Sequence, residues 1–178
     1  MQLLLDAIKF IDEHHAGQTR RGSGAPYASH PVAVSYLVAA YKRSKHLPSL
    51  LIAALLHDTL EDTGVTFEEI AKRFGAFVAS LVLELTNDDD EIKRIGKLEY
   101  HSRKLLGISS YALYIKLADR LHNISDHPTK NMVRDTLELM RRLRAGRKLT
   151  KGQKEMASEI ERICHERQEG WDLLANAA

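Results

Sequence analysis

The chain has a single cysteine, Cys164, among its 178 residues, so no disulfide can form within it. A reducing cytoplasm is compatible with this composition, and we expect a cytoplasmic location. The formal net charge of +2 is too small to indicate a nucleic-acid partner. No apolar stretch approaches the roughly 20 residues that cross a bilayer, and the N-terminus lacks the basic segment of a signal peptide. The sequence therefore predicts a protein with neither a nucleic-acid nor a membrane partner.

Signals for strands, repeats and linkers are missing as well. No segment alternates apolar and polar residues over the length of a strand, and no low-complexity stretch divides the chain. Apolar residues recur instead at helical spacing along most of the sequence. Hydrophobic residues make up 44% and charged residues 28%, which is typical of a globular protein. We predict an all-α fold in which residues 1–178 form one compact multi-helix domain.

Glycine and proline indicate where the helices begin and end. Pro48 suits the first turn of a helix that runs from Leu50 to about Glu61 and is apolar on nearly every side, which predicts a central, buried position. Gly75 predicts a break between two helices, and residues 17–26 predict a glycine-rich loop. Further along the chain, helices are predicted at 76–85, 91–105 (polar and exposed), 109–125, 132–144 and 151–174.

Two polar residues, His57 and Asp58, directly follow the apolar part of the predicted central helix. A charged aspartate beside a buried helix is costly unless a partner compensates it, and a metal ion is one such partner. Imidazole nitrogen and carboxylate oxygen together suit manganese, iron or zinc. The alternative is a buried, hydrogen-bonded His–Asp pair at the end of a helix. We interpret the two residues as candidate metal ligands because further carboxylates follow them.

Those carboxylates are Glu61 and Asp62, which come four residues after His57 and Asp58, respectively. In a helix this spacing places them about one turn along the same face. Carboxylates next to a metal ion can orient or deprotonate water, or protonate a leaving group. We therefore predict that Glu61 and Asp62 are catalytic.

His30 and Asp119 complete the set of candidate ligands. Taken alone, His30 would be a capping or surface histidine, and Asp119 would be the partner of a nearby lysine or arginine. Together with the His–Asp pair, they form a set of two imidazoles and two carboxylates with room left for water. No P-loop or Rossmann glycine motif is present, so phosphate binding by such a loop is not indicated.

The order of these residues resembles that of the HD-domain metal phosphohydrolases. More narrowly, the sequence is similar to the (p)ppGpp hydrolase domain of the RelA/SpoT family, and in particular to its stand-alone small alarmone hydrolases. The strings that carry the resemblance are HAGQ at 15–18, PYASHP at 26–31, ALLHDTLEDT at 54–63 and KLADRLHN at 116–123.

The resemblance implies a fold, a reaction and a cofactor. The fold is the helical bundle of the HD domain, and the cofactor is one manganese ion. The reaction is hydrolysis of the 3′-pyrophosphate of ppGpp or pppGpp to GDP or GTP and pyrophosphate, which lowers alarmone levels in the stringent response. Glu61 and Asp62 match the residues that serve the attacking water and proton transfer. The implied metal ligands are His30, His57, Asp58 and Asp119.

The resemblance also implies a set of substrate contacts, namely Arg20, Arg21, Ser23, Lys97 and Asn123. Here the sequence departs from the family, which usually shows Arg-Lys followed by a short loop. Either Arg20 and Arg21 fill this basic pair with a loop changed by one residue, or Arg21 and Gly22 fill it and the second basic group is lost. The departure bears on selectivity for the base or phosphate. The alternative for the basic residues is a solvated surface.

Two other functions compete with this prediction. One is a phosphatase of the same superfamily that acts on another nucleotide, such as NADPH. The other is a non-catalytic nucleotide-binding module on the same scaffold. The complete ligand set and the Glu61–Asp62 pair favour an enzyme. The sequence leaves the oligomeric state open, with a homodimer as one option.

Overall fold

The computed structural model describes residues 2–176, and the regular elements in that range are helices. Within these residues there is no β-strand, and one isolated bridge joins Thr19 to Pro26. The all-α prediction is confirmed. The helices are α1 (Gln2–His14), α2 (Ser29–Tyr41), α3 (Leu47–Leu55), α4 (Thr59–Asp62), α5 (Phe67–Phe74), α6 (Ala76–Leu85), α7 (Asp89–Ile95), α8 (Lys97–Gly107), α9 (Ser110–Ser125), α10 (Lys130–Gly146) and α11 (Lys151–Asn176).

Helix α3 lies at the centre of the bundle, as its apolar sequence predicts. It packs against α1, α2, α6 and α9, and residues 52–56 are buried without interruption. Helix α9 is the second buried helix, with residues 112–119 buried. Helix α2 packs against both α3 and α9. These three helices therefore surround one region of the core, and the candidate ligands lie there.

The predicted extension of the central helix to about Glu61 is wrong, because α3 ends at Leu55 and a short α4 begins at Thr59. The backbone amide and the hydroxyl of Thr59 both donate to the carbonyl oxygen of Leu56, at 3.0 and 2.7 Å. These two bonds close a turn that interrupts the helix. His57 and Asp58 consequently lie in a turn between two helices, and not at adjacent positions of one helix.

Two glycines break helices in the same way. Gly75 ends α5 at φ +92° and ψ 152°, which confirms the predicted break, and Gly96 separates α7 from α8 at φ +86° and ψ 148°. The second break corrects the continuous helix predicted over 91–105. The predicted exposure of this segment is also wrong, because Tyr100 and Leu105 of α8 are buried. A residue with a Cβ rarely adopts these angles, so glycine permits both breaks.

The glycine-rich segment between α1 and α2 forms a tight, hairpin-like loop, in agreement with the prediction. The amide of Arg20 donates to the carbonyl of Ala25 at 2.8 Å, and the amide of Gly24 donates back to the carbonyl of Arg20 at 2.9 Å. Gly24 has a φ of +70°, which a turn of this kind requires. Over the described residues, no helix is both long enough and apolar enough to cross a membrane.

Candidate metal centre

Four side chains predicted to bind metal converge between α2, α3 and α9. His30 comes from the first turn of α2, Asp119 from the middle of α9, and His57 and Asp58 from the turn after α3. The Nε2 atom of His30 lies 3.3 Å from Oδ1 of Asp119 and 3.8 Å from Oδ2 of Asp58. The Nε2 atom of His57 lies 3.0 Å from Oδ2 of Asp58 and 3.9 Å from Oδ1 of Asp119. The structure therefore brings all four candidates into one cluster.

The ring of His57 is oriented to present a lone pair to this cluster. Its Nδ1 atom lies 2.8 Å from the carbonyl oxygen of Ala54, to which it donates a hydrogen bond. In the neutral form of the ring, which is the form that binds a metal ion, the Nε2 atom carries the lone pair, and Nε2 is buried without a hydrogen-bond partner among the described residues. The polar atoms facing it are carboxylate oxygens, which are also acceptors. Because a buried acceptor needs a partner, these residues fit a divalent cation.

The electrostatics of the cluster favour positive charge. Burial lowers the pKa of His57, but Asp58 and Asp119 outweigh burial and raise it to about 9. Burial raises the pKa of both carboxyl groups, yet neighbouring groups hold each pKa below its usual value. For Asp58 the main group that lowers the pKa is His57, and for Asp119 it is His30. The two carboxylates thus stay ionised inside the protein, as ligands of a divalent ion must.

Tyr27 connects the cluster to a predicted catalytic residue. Its hydroxyl donates to Oδ2 of Asp58 and lies 3.2 Å from Oδ2 of Asp62. Burial and the charge of Asp58 raise the pKa of Tyr27, so the hydroxyl keeps its proton. The pKa of Asp62 is also raised, by burial and by the charges of Asp58 and Glu61. Asp62 is therefore connected to the cluster through the hydroxyl of Tyr27, which also contacts Asp58.

Glu61, the other predicted catalytic carboxylate, is held by the loop after α6. The backbone amide and the side-chain amide of Asn87 donate to its two carboxylate oxygens, both at 2.9 Å. The loop is anchored in turn, because Lys104 donates to the carbonyl oxygen of Thr86 at 2.5 Å. Glu61 is thus exposed, but its carboxylate is held in one orientation by the two hydrogen bonds from Asn87.

Two of the predicted substrate contacts form a chain of hydrogen bonds that ends at a candidate ligand. The guanidinium of Arg20 donates to Oδ1 of Asn123 at 2.7 Å, and the amide of Asn123 donates to Oδ1 of Asp119 at 2.5 Å. Arg20 also pairs with Asp126 at 3.1 Å. The loop between α1 and α2 is therefore tied to the edge of the cluster.

The other predicted substrate residues lie farther out. Arg21, Ser23 and Lys97 are exposed, and within residues 2–176 no hydrogen bond joins them to the four candidate ligands. Lys97 lines a cavity of about 260 Å³ together with His101 and Arg120. The structure thus brings Arg20 and Asn123 to the centre, and it leaves Arg21, Ser23 and Lys97 on the surface around it.

Three contacts of the centre were not predicted from the sequence. They are the hydroxyl of Tyr27, the two amides of Asn87 on Glu61, and an interaction between Nδ1 of His30 and Nδ1 of His122 at 2.9 Å. Tyr27 stands three residues before His30 in the PYASHP string, so the motif contains a signal for it. No local pattern marks Asn87.

Comparison with known proteins identifies the family. The HD-domain family model matches residues 7–150. The fold and the His/Asp cluster therefore define a metal-dependent phosphohydrolase of the HD type. The chain belongs to the HD-domain family and, within it, to the group whose members are named guanosine-3′,5′-bis(diphosphate) 3′-pyrophosphohydrolases.

The named relatives include animal and bacterial proteins. A Xenopus tropicalis pyrophosphohydrolase named MESH1 is 37% identical over 125 residues, which cover 70% of this chain and 69% of the relative. An Aquifex aeolicus pyrophosphohydrolase is 36% identical over 148 residues, covering 75% of this chain and 20% of the relative. The Escherichia coli K12 bifunctional (p)ppGpp synthase/hydrolase SpoT is 36% identical over 154 residues, which cover 76% of this chain and 20% of the relative. The chain thus matches about a fifth of the length of these bacterial relatives.

Solved structures show the same fold. A structure described as a metazoan ortholog of SpoT that hydrolyses ppGpp has a TM-score of 0.77 and 25% identity, and covers 94% of this chain and 96% of its own. A Listeria monocytogenes protein has a TM-score of 0.59 at 21% identity, and the match covers 80% of this chain and 98% of that protein. This likeness supports the fold alone.

Proposed function

We propose that this chain hydrolyses the 3′-pyrophosphate of ppGpp or pppGpp to GDP or GTP and pyrophosphate, and that it lowers alarmone levels in the stringent response. The observation that carries the proposal is the buried Nε2 of His57, which faces two carboxylates and lacks a hydrogen-bond partner. The names of the relatives support the choice of substrate. We place the activity in the cytoplasm because its substrate is a guanine nucleotide.

The proposed cofactor is one Mn²⁺ ion. Two imidazoles and two carboxylates suit manganese, iron or zinc, and the resemblance to the alarmone hydrolases favours manganese. A divalent ion bound there supplies Lewis-acid polarisation of a phosphoryl oxygen and lowers the pKa of water. The residues that would hold it are His30, His57, Asp58 and Asp119.

The chain's own carboxylates would handle the protons of the reaction. The oxygen of water bonds to the phosphorus next to the ribose, the bond from that phosphorus to the 3′-oxygen breaks, and the 3′-oxygen gains a proton. We assign proton transfer to Asp62, because its raised pKa moves it toward the working range of a general acid or base. Glu61, held by both amides of Asn87, would orient the attacking water.

The polyanionic substrate would be held by the basic groups around the cluster. Arginine offers paired donors that match phosphate geometry, and Arg20 is held at the edge of the cluster by Asn123. Arg21 and Ser23 follow on the same loop. Lys97 and Arg120 line the neighbouring cavity of about 260 Å³. The proposed substrate contacts are Arg20, Arg21, Ser23, Lys97 and Asn123.

The test is release of pyrophosphate from ppGpp by the purified protein with Mn²⁺. Asp58→Ala should abolish both Mn²⁺ binding and turnover, because it removes a charged candidate ligand. Asp12→Ala, which removes an exposed carboxylate on α1, should retain both. Full activity in Asp58→Ala would show that the site is wrong.

A panel of nucleotides separates the competing functions. Orthophosphate released from NADPH, without pyrophosphate from ppGpp, would assign the chain to a phosphatase of another nucleotide. Binding of ppGpp with Mn²⁺ but no pyrophosphate release would assign it to a non-catalytic module.

A further inference from the structure

We infer that His122 is a positioning residue that sets the tautomer and ring orientation of His30. The inference rests on the proposed function, in which His30 is a metal ligand. The two Nδ1 atoms lie 2.9 Å apart, and the ring centroids lie 4.8 Å apart with the planes tilted by 53°. On its other side, the His30 ring faces the candidate ligands, with Nε2 at 3.3 Å from Oδ1 of Asp119.

Two tautomers of His30 are compatible with the 2.9 Å contact. In one, Nδ1 carries the proton and donates it to Nδ1 of His122, which leaves the lone pair of Nε2 facing Asp119 and Asp58. In the other, His30 accepts from His122 and carries its proton on Nε2, at 3.3 Å from Asp119. Only the first tautomer has a free Nε2 lone pair for a metal ion. His122 therefore supports metal binding by acting as an acceptor.

The two candidate ligand histidines differ in what holds them. His57 donates to the backbone carbonyl of Ala54, a partner that no side-chain substitution removes. His30 has a side chain, His122, in the equivalent role. Metal-bound histidines generally donate their second ring N–H to such a partner, which orients the ring. The support of His30 can therefore be removed without touching a ligand.

Helix α9 explains why His122 reaches His30. Asp119, His122 and Asn123 are spaced at i, i+3 and i+4, so they share one face of the helix. Asp119 is a candidate ligand, Asn123 donates to Asp119, and His122 contacts His30 on α2. One face of α9 thus supplies the candidate ligand Asp119. The same face supplies Asn123, which supports Asp119, and His122, which supports His30.

The experiment measures Mn²⁺ affinity by calorimetry on the metal-free full chain and three variants. His122→Phe keeps a flat ring but removes the acceptor. His122→Asn keeps an acceptor oxygen near the position of Nδ1. His165→Phe, at an exposed position of α11, is the matched control.

We expect His122→Phe to bind Mn²⁺ about 10- to 100-fold more weakly than the native chain. His122→Asn should stay within about threefold of it, because its acceptor replaces the imidazole nitrogen. His165→Phe should bind as the native chain does.

Circular dichroism and thermal unfolding of the metal-free variants separate loss of affinity from loss of fold. Long-range ¹H–¹⁵N correlation spectra of the metal-free native chain give a readout that needs no variant. The expected spectrum shows His30 protonated on Nδ1. A proton on Nε2, or a folded His122→Phe that binds Mn²⁺ as tightly as the native chain, would overturn the role of His122 alone. A native chain that binds no Mn²⁺ would overturn the proposed function itself.

Discussion

At the scale of single residues, Tyr27 joins the two halves of the proposed site. Its hydroxyl contacts Asp58, a candidate ligand, and Asp62, a candidate proton carrier. Because its pKa is raised, the hydroxyl is a donor at all ordinary pH values. A donor to a metal-binding carboxylate orients that carboxylate and tunes its basicity.

Tyr27→Phe removes this donor while keeping the ring. We expect Mn²⁺ to bind about 10-fold more weakly, as for other supports of metal ligands, and turnover to fall with it. Calorimetric titration and pyrophosphate release measure the two effects. Tyr36→Phe is the control, because Tyr36 is 78% exposed. Unchanged Mn²⁺ affinity in Tyr27→Phe would contradict a supporting role.

Asp62→Asn and Glu61→Gln test the assignment of the catalytic carboxylates. Neither residue is among the four candidate ligands, so Mn²⁺ affinity should stay close to the native value. The kcat of Asp62→Asn should fall about 10²- to 10⁴-fold, the usual contribution of a general acid or base. Rapid-quench measurement of pyrophosphate release gives the rate, with Asp12→Asn as the control. Native kcat in both variants would remove them from the mechanism.

At the scale of elements, the loop between α1 and α2 distinguishes two neighbouring arginines. Arg20 is bonded to Asn123 and Asp126, whereas Arg21 is exposed. Gly22 packs closely against the side chain of His127, since a Cβ at this position would lie 2.7 Å from it. The loop is therefore seated on the end of α9 with Arg20 toward the cluster.

Arg20→Ala and Arg21→Ala form a matched pair, because each removes one positive charge from the same loop. We expect Arg20→Ala to raise the KM for ppGpp about 10- to 100-fold, from the loss of a hydrogen bond to a charged group. Arg21→Ala should have the smaller effect. Steady-state kinetics with Mn²⁺ saturating compare them, and equal effects would show that position relative to the cluster does not matter.

The break between α7 and α8 depends on glycine. Gly96 adopts φ +86° and ψ 148°, angles that are nearly restricted to glycine. Gly96→Ala should therefore lower the free energy of unfolding by about 1–3 kcal/mol. Gly107→Ala is the control, since Gly107 is the last residue of α8 and a Cβ there would meet no atom within 4 Å, and alanine favours a helix. Urea denaturation measures both variants, and equal stabilities would contradict the argument.

At the scale of the whole molecule, a buried histidine makes stability depend on pH. Burial, with Arg120 and Lys116 adding to it, lowers the pKa of His101 from 6.5 to about 3. Between these two values the unfolded chain binds the proton and the folded chain does not. Stability contributed by neutral His101 is therefore present above pH 6.5 and is lost as pH falls toward 3.

The free energy of unfolding, measured with chelator present, should therefore be lower at pH 4.5 than at pH 7.5. His101→Gln cannot take up the proton, so its stability should fall less over this interval. His165→Gln, at an exposed position, should keep the native pH dependence. An identical dependence in His101→Gln and the native chain would show that His101 is not responsible.

Much of the helical framework was predictable, because helix formation depends on neighbouring residues. A run of residues that is apolar on nearly every side indicates the central helix, and Gly75 indicates a break. Gly96 has the same backbone geometry as Gly75, but the sequence does not indicate this break, because the charged residues on both sides of Gly96 are compatible with one continuous helix. The sequence does not indicate the end of α3 for a similar reason. The hydrogen bonds from Thr59 to Leu56 compete with the helix, and composition alone does not decide that competition.

The sequence by itself determined which residues could bind a metal ion: two histidines and two aspartates, two of them next to each other in the chain. Tertiary structure decided what each of these side chains faces. His30 meets His122 across 92 residues of sequence, and Tyr27 meets Asp58 across 31. Helical periodicity is a property of neighbours within a few residues. The tautomer of an imidazole and the charge of a carboxylate depend on atoms within about 3 Å in space, and those atoms come together only when α2, α3 and α9 pack.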